Sequence, residues 1–261
     1  MYPVLFKLGP ITVYSFGVTM SVAFIVAALI MQRDFARKHE PPDLAWSIVA
    51  FGLIGGLIGA RVHQGFYHWA ALVADPIDFL IHRSGLVWYG GLLGGVLATY
   101  WPIRRAHVRY ASALDTAALG LAVGLAIGRV GCHLSGDGDW GTPTTLPWGV
   151  AYSHGTAEWP HPPGIQVHPA ALYESLALFG VFALLLALRS RVAPAGALFA
   201  IYLLLAATTR FLIEIIRTNP PVLLGLTEAQ WTSLALAAGA ALWLLRNVQS
   251  IPKAAKSRAR A

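Results

Sequence analysis

Seven apolar runs, near 11–31, 45–62, 86–103, 112–131, 169–188, 195–216 and 229–246, dominate this sequence of 261 residues. A helix that crosses a bilayer needs about 20 mostly apolar residues. Each run meets or approaches that length, the second and seventh being the shortest. Only 12% of the residues are charged, about half the share of a soluble domain. The chain is therefore too apolar for disorder. The expected fold is all-α: a polytopic membrane bundle of seven transmembrane helices over residues 1–250, with a basic tail over 251–261. The first run is longer than the apolar core of a signal peptide and ends in Arg33, Arg37 and Lys38, so it reads as a retained span.

The net charge of +7 suits nucleic acid only if the basic residues share a polar face. They stand instead at the ends of apolar runs, which makes the lipid bilayer the expected partner and excludes nucleic acid. Their distribution orients the chain. Arg33, Arg37, Lys38, Arg104, Arg105, Arg109, Arg189, Arg191, Arg246, Lys253, Lys256, Arg258 and Arg260 lie in the loops after spans one, three and five or in the tail. That is 13 of the 19 Lys and Arg residues. The N-terminus is expected outside and the C-terminus in the cytoplasm.

Small residues four apart mark close helix packing: Gly52/Gly56, Gly55/Gly59, Gly90/Gly94, Gly91/Gly95 and Gly120/Gly124/Gly128. They predict that spans two, three and four lie in the bundle interior. No internal repeat is visible, which argues against an inverted-repeat transporter. The long segment 132–168 is rich in Gly and Pro and carries Trp140, Trp148 and Trp159. It is expected to fold as a cap at the outer interface.

Ionisable groups inside spans are rare and functional by default. With the orientation above, Arg61, Tyr89, Arg129, His168, Tyr173, Glu174, Arg210, Glu214 and Arg217 all fall at one level in the outer half of the membrane. Arg210, Glu214 and Arg217 are spaced four and three apart, so they share a helix face. This is either a structural ladder or a site with one guanidinium left for an anion. Arg129 has no acidic residue at helical spacing before it and reads as unpaired, suited to holding phosphate bidentately.

The glycines in Gly128-Arg129-Val130-Gly131 let backbone approach a ligand. Cys132, His133, Asp137 and Asp139 follow, but their spacing matches no standard zinc pattern, and no metal or other cofactor is expected. A lone Cys132 reads as buried and inert. His168-Pro169 reads as a helix start with Pro at the first helical position, His168 either capping the helix or acting in catalysis.

At these residues the sequence resembles the prolipoprotein diacylglyceryl transferase family. The resemblance runs from Gly9-Pro10 through Gly59-Ala60-Arg61, Gly90-Gly91-Leu92-Leu93-Gly94 and segment 128–141. It continues through His168-Pro169 with Leu172-Tyr173-Glu174 to Arg210, Phe211, Glu214 and Arg217. It implies a seven-span bacterial cytoplasmic (inner) membrane enzyme with its active site toward the outer leaflet. Such an enzyme transfers the diacylglyceryl group of phosphatidylglycerol to the lipobox cysteine thiol of a prolipoprotein signal peptide and releases glycerol phosphate.

On this reading Arg129 and Arg210 stabilise charge on the leaving phosphate. Arg61, Tyr173, Glu174, Glu214 and Arg217 bind substrate, Tyr89 orients the headgroup through its hydroxyl, and His133 or His168 takes the thiol proton, failing which Asp137, Glu174 or solvent does. Tyr89 stands where the family carries histidine, Cys132 and Ser135 where it carries asparagine, and Asp137 where it carries glutamate. Phe16 and Ala206 stand in place of tyrosines. His168 is favoured as the base, because Pro169 fixes its backbone. The alternatives are a related transferase with another donor or acceptor and a non-enzymatic lipid-binding bundle. A retinal protein needs a lysine in the last span, and residues 229–246 contain none.

Overall fold

The chain opens with an element that hydropathy hides. In the computed structural model, which describes residues 1–75 and 88–248, β1 (Val4–Leu8) and β2 (Ile11–Tyr14) form an antiparallel hairpin. Its two-residue turn, Gly9-Pro10, uses the left-handed φ of +56° at Gly9, which glycine adopts without a Cβ clash. The fold is thus mostly rather than wholly α. The first apolar run splits because Ile11–Tyr14 pairs with β1 before helix α1 (Ser15–Arg37) begins. The base of the hairpin is tied down by bonds from Tyr2 N to Leu134 O and from Ser15 N to Pro3 O, both 3.0 Å.

Among the described residues seven long helices follow, one at each expected run: α1, α2 (Leu44–Tyr67), α4 (Trp88–Arg105), α5 (Tyr110–Ser135), α6 (Ala170–Leu188), α7 (Ala197–Glu214) and α8 (Glu228–Val248). A short α3 (Trp69–Ala74) follows α2. Among the described residues, α1, α2, α5, α6 and α7 are long and apolar enough to cross a membrane. The chain is a polytopic membrane helix bundle. Helix α4 is described over 18 residues and ends in Arg104 and Arg105, while α8 carries Glu228 in its first turn and Arg246 in its last. The tail 251–261, Arg83 and the start of the third run lie outside the described residues.

Two compact units divide the chain at 27/28 and 113/114. In the unit of residues 28–113, α2 and α4 pack backbone to backbone. A Cβ on Gly59 would overlap the Gly90 carbonyl, and one on Gly94 would overlap the Gly55 carbonyl. The same helices expose Ile54, Leu57, Ile58, Leu93 and Leu97 on their other faces. The glycine pairs thus report one close approach, that of α2 to α4. Asp34, fully buried, pairs with Arg37 (2.9 Å) and Lys38 (3.4 Å), and the Lys38 ammonium also donates to Ser112 O.

The other unit, residues 1–27 and 114–248 as described, holds α5 at its centre. Half of the apolar stretch of α5 is buried. Its small residues admit the first half of α1: a Cβ on Gly131 would overlap the Thr19 hydroxyl. Ser175 of α6 donates to Ala126 O of α5 at 2.7 Å. Helix α7 begins at Gly196 without a side-chain cap of its own. Asp115 of α5 supplies one, accepting from Gly196 N (2.7 Å) and Phe199 N (2.9 Å). Its charge also suits the positive end of the helix dipole.

Candidate active site

Three helices and one loop bring six charged groups into a closed ring. Arg129, in the last turns of α5, sends its Nη1 to Asp139 Oδ2 and its Nε to Glu174 Oε2 of α6 at 3.1 Å. Glu174 Oε2 lies 4.0 Å from Arg210 Nη1 of α7. Arg210 Nη2 reaches Glu214 Oε2 at 2.8 Å, and that oxygen lies 3.5 Å from Arg217 Nε. Arg217 Nη2 donates to Asp139 Oδ1 at 2.6 Å, which closes the circuit. Signs alternate around the ring, so each charge is flanked by two opposite ones, as buried ions require.

Helical spacing accounts for one arc. Arg210, Glu214 and Arg217 share a face of α7 and its extension as their spacing predicts, so the ladder is present. Glu214 is anchored further, its Oε1 accepting from Asn219 Nδ2 (2.7 Å) and Thr227 Oγ1 (2.9 Å). Arg129, however, is not unpaired. Its partners come from a loop residue ten positions on and from another helix, where a search at helical spacing does not look. Asp139 was considered in the sequence only as a metal ligand.

Backbone contacts hold the loop against the helices. Helix α5 runs through Ser135, past the expected boundary at Cys132, and Gly136 (φ +61°) ends it. Gly141 N bonds to His168 O (2.9 Å), and Thr142 N bonds to Ile216 O (2.7 Å). A Cβ on Gly141 would lie 2.8 Å from Ile216 O and 2.9 Å from the His168 Cβ, so only glycine allows this approach. The cap has an apolar core of Trp140, Tyr152 and Val167, with Met1, Val150, Ala157 and Trp159 against it.

His133 is drawn toward that core, its Nδ1 lying 2.8 Å from the Tyr152 hydroxyl, whose pKa burial pushes up. His168 Nδ1 lies 3.4 Å from the Tyr173 hydroxyl, which accepts from Trp148 Nε1 at 2.7 Å. Pro169 precedes the first residue of α6, and the cap position carries no side-chain hydrogen bond. Arg61 of α2 and Tyr89 of α4 belong to the unit of residues 28–113, and each makes contacts of its own.

Asp137 and Asp139 share a loop but not an environment. Burial raises the carboxyl pKa of Asp139, yet Arg217 and Arg129 outweigh it and hold the group below the usual range. Burial raises the pKa of Asp137, whose carboxylate lies within 4.8 Å of the Cys132 sulfur. Cys132 is half-buried, with its sulfur 4.0 Å from Arg129 Nη1, so it is not the isolated apolar thiol expected. Ligand atoms of Cys132, Asp137 and Asp139 lie within 4.8 Å of one another. They suit a cation poorly, because two guanidiniums already share Asp139.

Several guanidinium atoms in the ring are buried without hydrogen-bond partners among the described residues: Arg210 Nη1, Arg217 Nε and Arg217 Nη1. Arg210 Nη1 and Arg217 Nε face Glu174 Oε2 and Glu214 Oε2 within ion-pair distance, and those two oxygens also lack hydrogen-bond partners among the described residues. Buried donors of this kind are unusual and match the needs of an oxyanion.

Residues 3–246 match the family model described as prolipoprotein diacylglyceryl transferase. A Clostridioides difficile protein named phosphatidylglycerol–prolipoprotein diacylglyceryl transferase is 32% identical over 88% of this chain and 89% of its own length. Proteins of the same name from Coxiella burnetii (32%, covering 92% and 94%) and Halalkalibacterium halodurans (31%, covering 95% and 87%) are similarly close.

Proposed function

The chain belongs to the prolipoprotein diacylglyceryl transferase family, and we propose that its arginine ring works on the phosphate of phosphatidylglycerol. The enzyme transfers the diacylglyceryl group of that lipid to the lipobox cysteine of a prolipoprotein. In the step, the cysteine sulfur forms a bond to the terminal glyceryl carbon. The bond from that carbon to the phosphate oxygen breaks, its electron pair stays on phosphate, and glycerol phosphate leaves. The charge that gathers on the leaving group is what Arg129, Arg210 and Arg217 are placed to stabilise in a low-dielectric setting. The observation that carries the reading is the buried Nη1 of Arg217, which has no hydrogen-bond partner among the described residues, in a ring that holds Arg129 and Arg210 as well.

The thiol must lose its proton to become a good nucleophile. Asp137 is the acceptor we favour over His168. It is free of the arginine pairing, its carboxylate lies within 4.8 Å of the Cys132 sulfur, and burial raises its pKa. His168 then positions Tyr173 and, through it, Trp148. The chain crosses the bacterial inner membrane seven times, with the hairpin, the cap and the ring toward the outer leaflet and the C-terminus in the cytoplasm. The 13-to-6 basic asymmetry supports that orientation.

Complementation of a strain depleted of its own transferase tests the function. Growth and thioether-linked lipid on a reporter prolipoprotein are expected. Accumulation of unmodified precursor in cells that contain the folded protein would refute it.

A further inference from the structure

The charges of the ring sum to zero: Arg129, Arg210 and Arg217 against Asp139, Glu174 and Glu214. A phosphodiester carries one negative charge. Bound beside all three carboxylates it would leave the pocket with an excess anion in a poorly solvated place, which is costly. One carboxylate must therefore give way, and the three are not equally free to move.

Glu174 and Glu214 sit on helices, nearly excluded from solvent. Glu214 is held by four groups, the two arginines, Asn219 and Thr227. Asp139 is different. It is the most exposed of the three, at 24% of its side chain. It sits between Gly138 (φ +101°) and the Trp140-Gly141 pair, in a loop whose other bend is Gly136. Arg129 and Arg217 are the only ring groups that hold its carboxylate. Its two oxygens face those guanidiniums from one small planar anion, the arrangement that two oxygens of a phosphate also offer.

We propose that Asp139 is an internal competitor for the donor phosphate, a residue that sets donor affinity by taking the same edges of Arg129 and Arg217. When the phosphate of the lipid binds, its oxygens replace Asp139 on the two guanidiniums, and the carboxylate swings toward solvent on its glycine-flanked loop. The ring then keeps three arginines, two glutamates and one phosphodiester, and its charge returns to zero. Tight binding of the leaving glycerol phosphate is restrained in the same way, because Asp139 returns to displace it. This rests on the phosphate reading of the ring above.

The test uses the purified full-length chain in mixed micelles of detergent and phosphatidylglycerol, with a lipobox peptide as acceptor. Asp139→Asn keeps the shape of the side chain but loses the competing charge. The KM for phosphatidylglycerol is expected to fall roughly tenfold, the size of one charge-assisted contact that no longer competes. Inhibition by added glycerol phosphate should strengthen by a similar factor, while Asp139→Glu should stay near wild type. A raised KM in folded Asp139→Asn would make Asp139 a strut that positions the arginines and overturn the proposal; so would an unchanged KM.

Hydrogen exchange of the wild-type chain decides the matter even if Asp139→Asn does not fold. Amides of residues 137–140 should exchange faster in nanodiscs containing phosphatidylglycerol than in neutral nanodiscs. Equal or slower exchange contradicts the proposal. If wild type neither transfers nor responds to phosphatidylglycerol in thermal unfolding, the phosphate reading itself has failed.

Discussion

Arg217 Nη2 lies 2.6 Å from Asp139 Oδ1, joining the chain just past α7 to a loop 78 positions earlier. That contact closes the ring, and it couples the cap to the helix bundle through two charges.

The coupling has a pH signature. The arginines lower the pKa of Asp139 in the folded protein. Its stabilising contribution is therefore complete above the unfolded carboxyl pKa, about 3.9, and is lost as pH falls through the lower folded value. Thermal unfolding of wild type and Asp139→Asn in detergent should differ by about 1–3 kcal/mol near neutral pH, and the gap should begin to close below about pH 4. A constant gap down to pH 3 would mean that the ion pairs do not contribute.

Asp137 shifts the other way, its pKa raised by burial. As a base it works once deprotonated, so transfer should rise with pH through a value above the ordinary carboxyl range. Asp137→Asn should remove that rise and cost on the order of a hundredfold. His168→Gln should keep the rise, with a smaller loss. The reverse pattern would return the role to His168, which the sequence favoured because of Pro169.

How much of this could be read from the sequence depended on distance along the chain. Seven apolar runs located seven long helices, and the 210–214–217 spacing located one arc of the ring, because both are periodic within a single helix. Arg129 was recognised as an anion-binding candidate, but its partners Asp139 and Glu174 were invisible, since contacts between a loop and another helix leave no periodic trace. The hairpin was missed for a related reason: Ile11–Tyr14 merges into the apolar run of α1, and strand pairing with Val4–Leu8 leaves no mark that distinguishes it. Asp115 meets its partner, the bare start of α7, across 81 residues, again with no periodic trace.

Asp115→Ala should remove both hydrogen bonds at that helix start. Loss of a cap costs about 1–2 kcal/mol, and the buried N–H groups it leaves add to this. The variant should melt at lower temperature, yet turn over normally per folded molecule at low temperature. Unchanged stability would show that another group replaces the cap.

Topology follows from the same orientation. A reporter active only outside the cytoplasm should be active when inserted near Gly155 and silent when fused after Arg260. The opposite pattern would turn the ring toward the wrong leaflet.

The proposed role of Arg129 is to hold the phosphate that leaves. Purified wild type and Arg129→Lys, both shown to be folded, are compared for glycerol phosphate released per thioether formed. Wild type should release one for one. Arg129→Lys should be slower by about a hundredfold, since an ammonium cannot grip two oxygens at once. Near-wild-type turnover in Arg129→Lys and in Arg129→Ala would contradict the account.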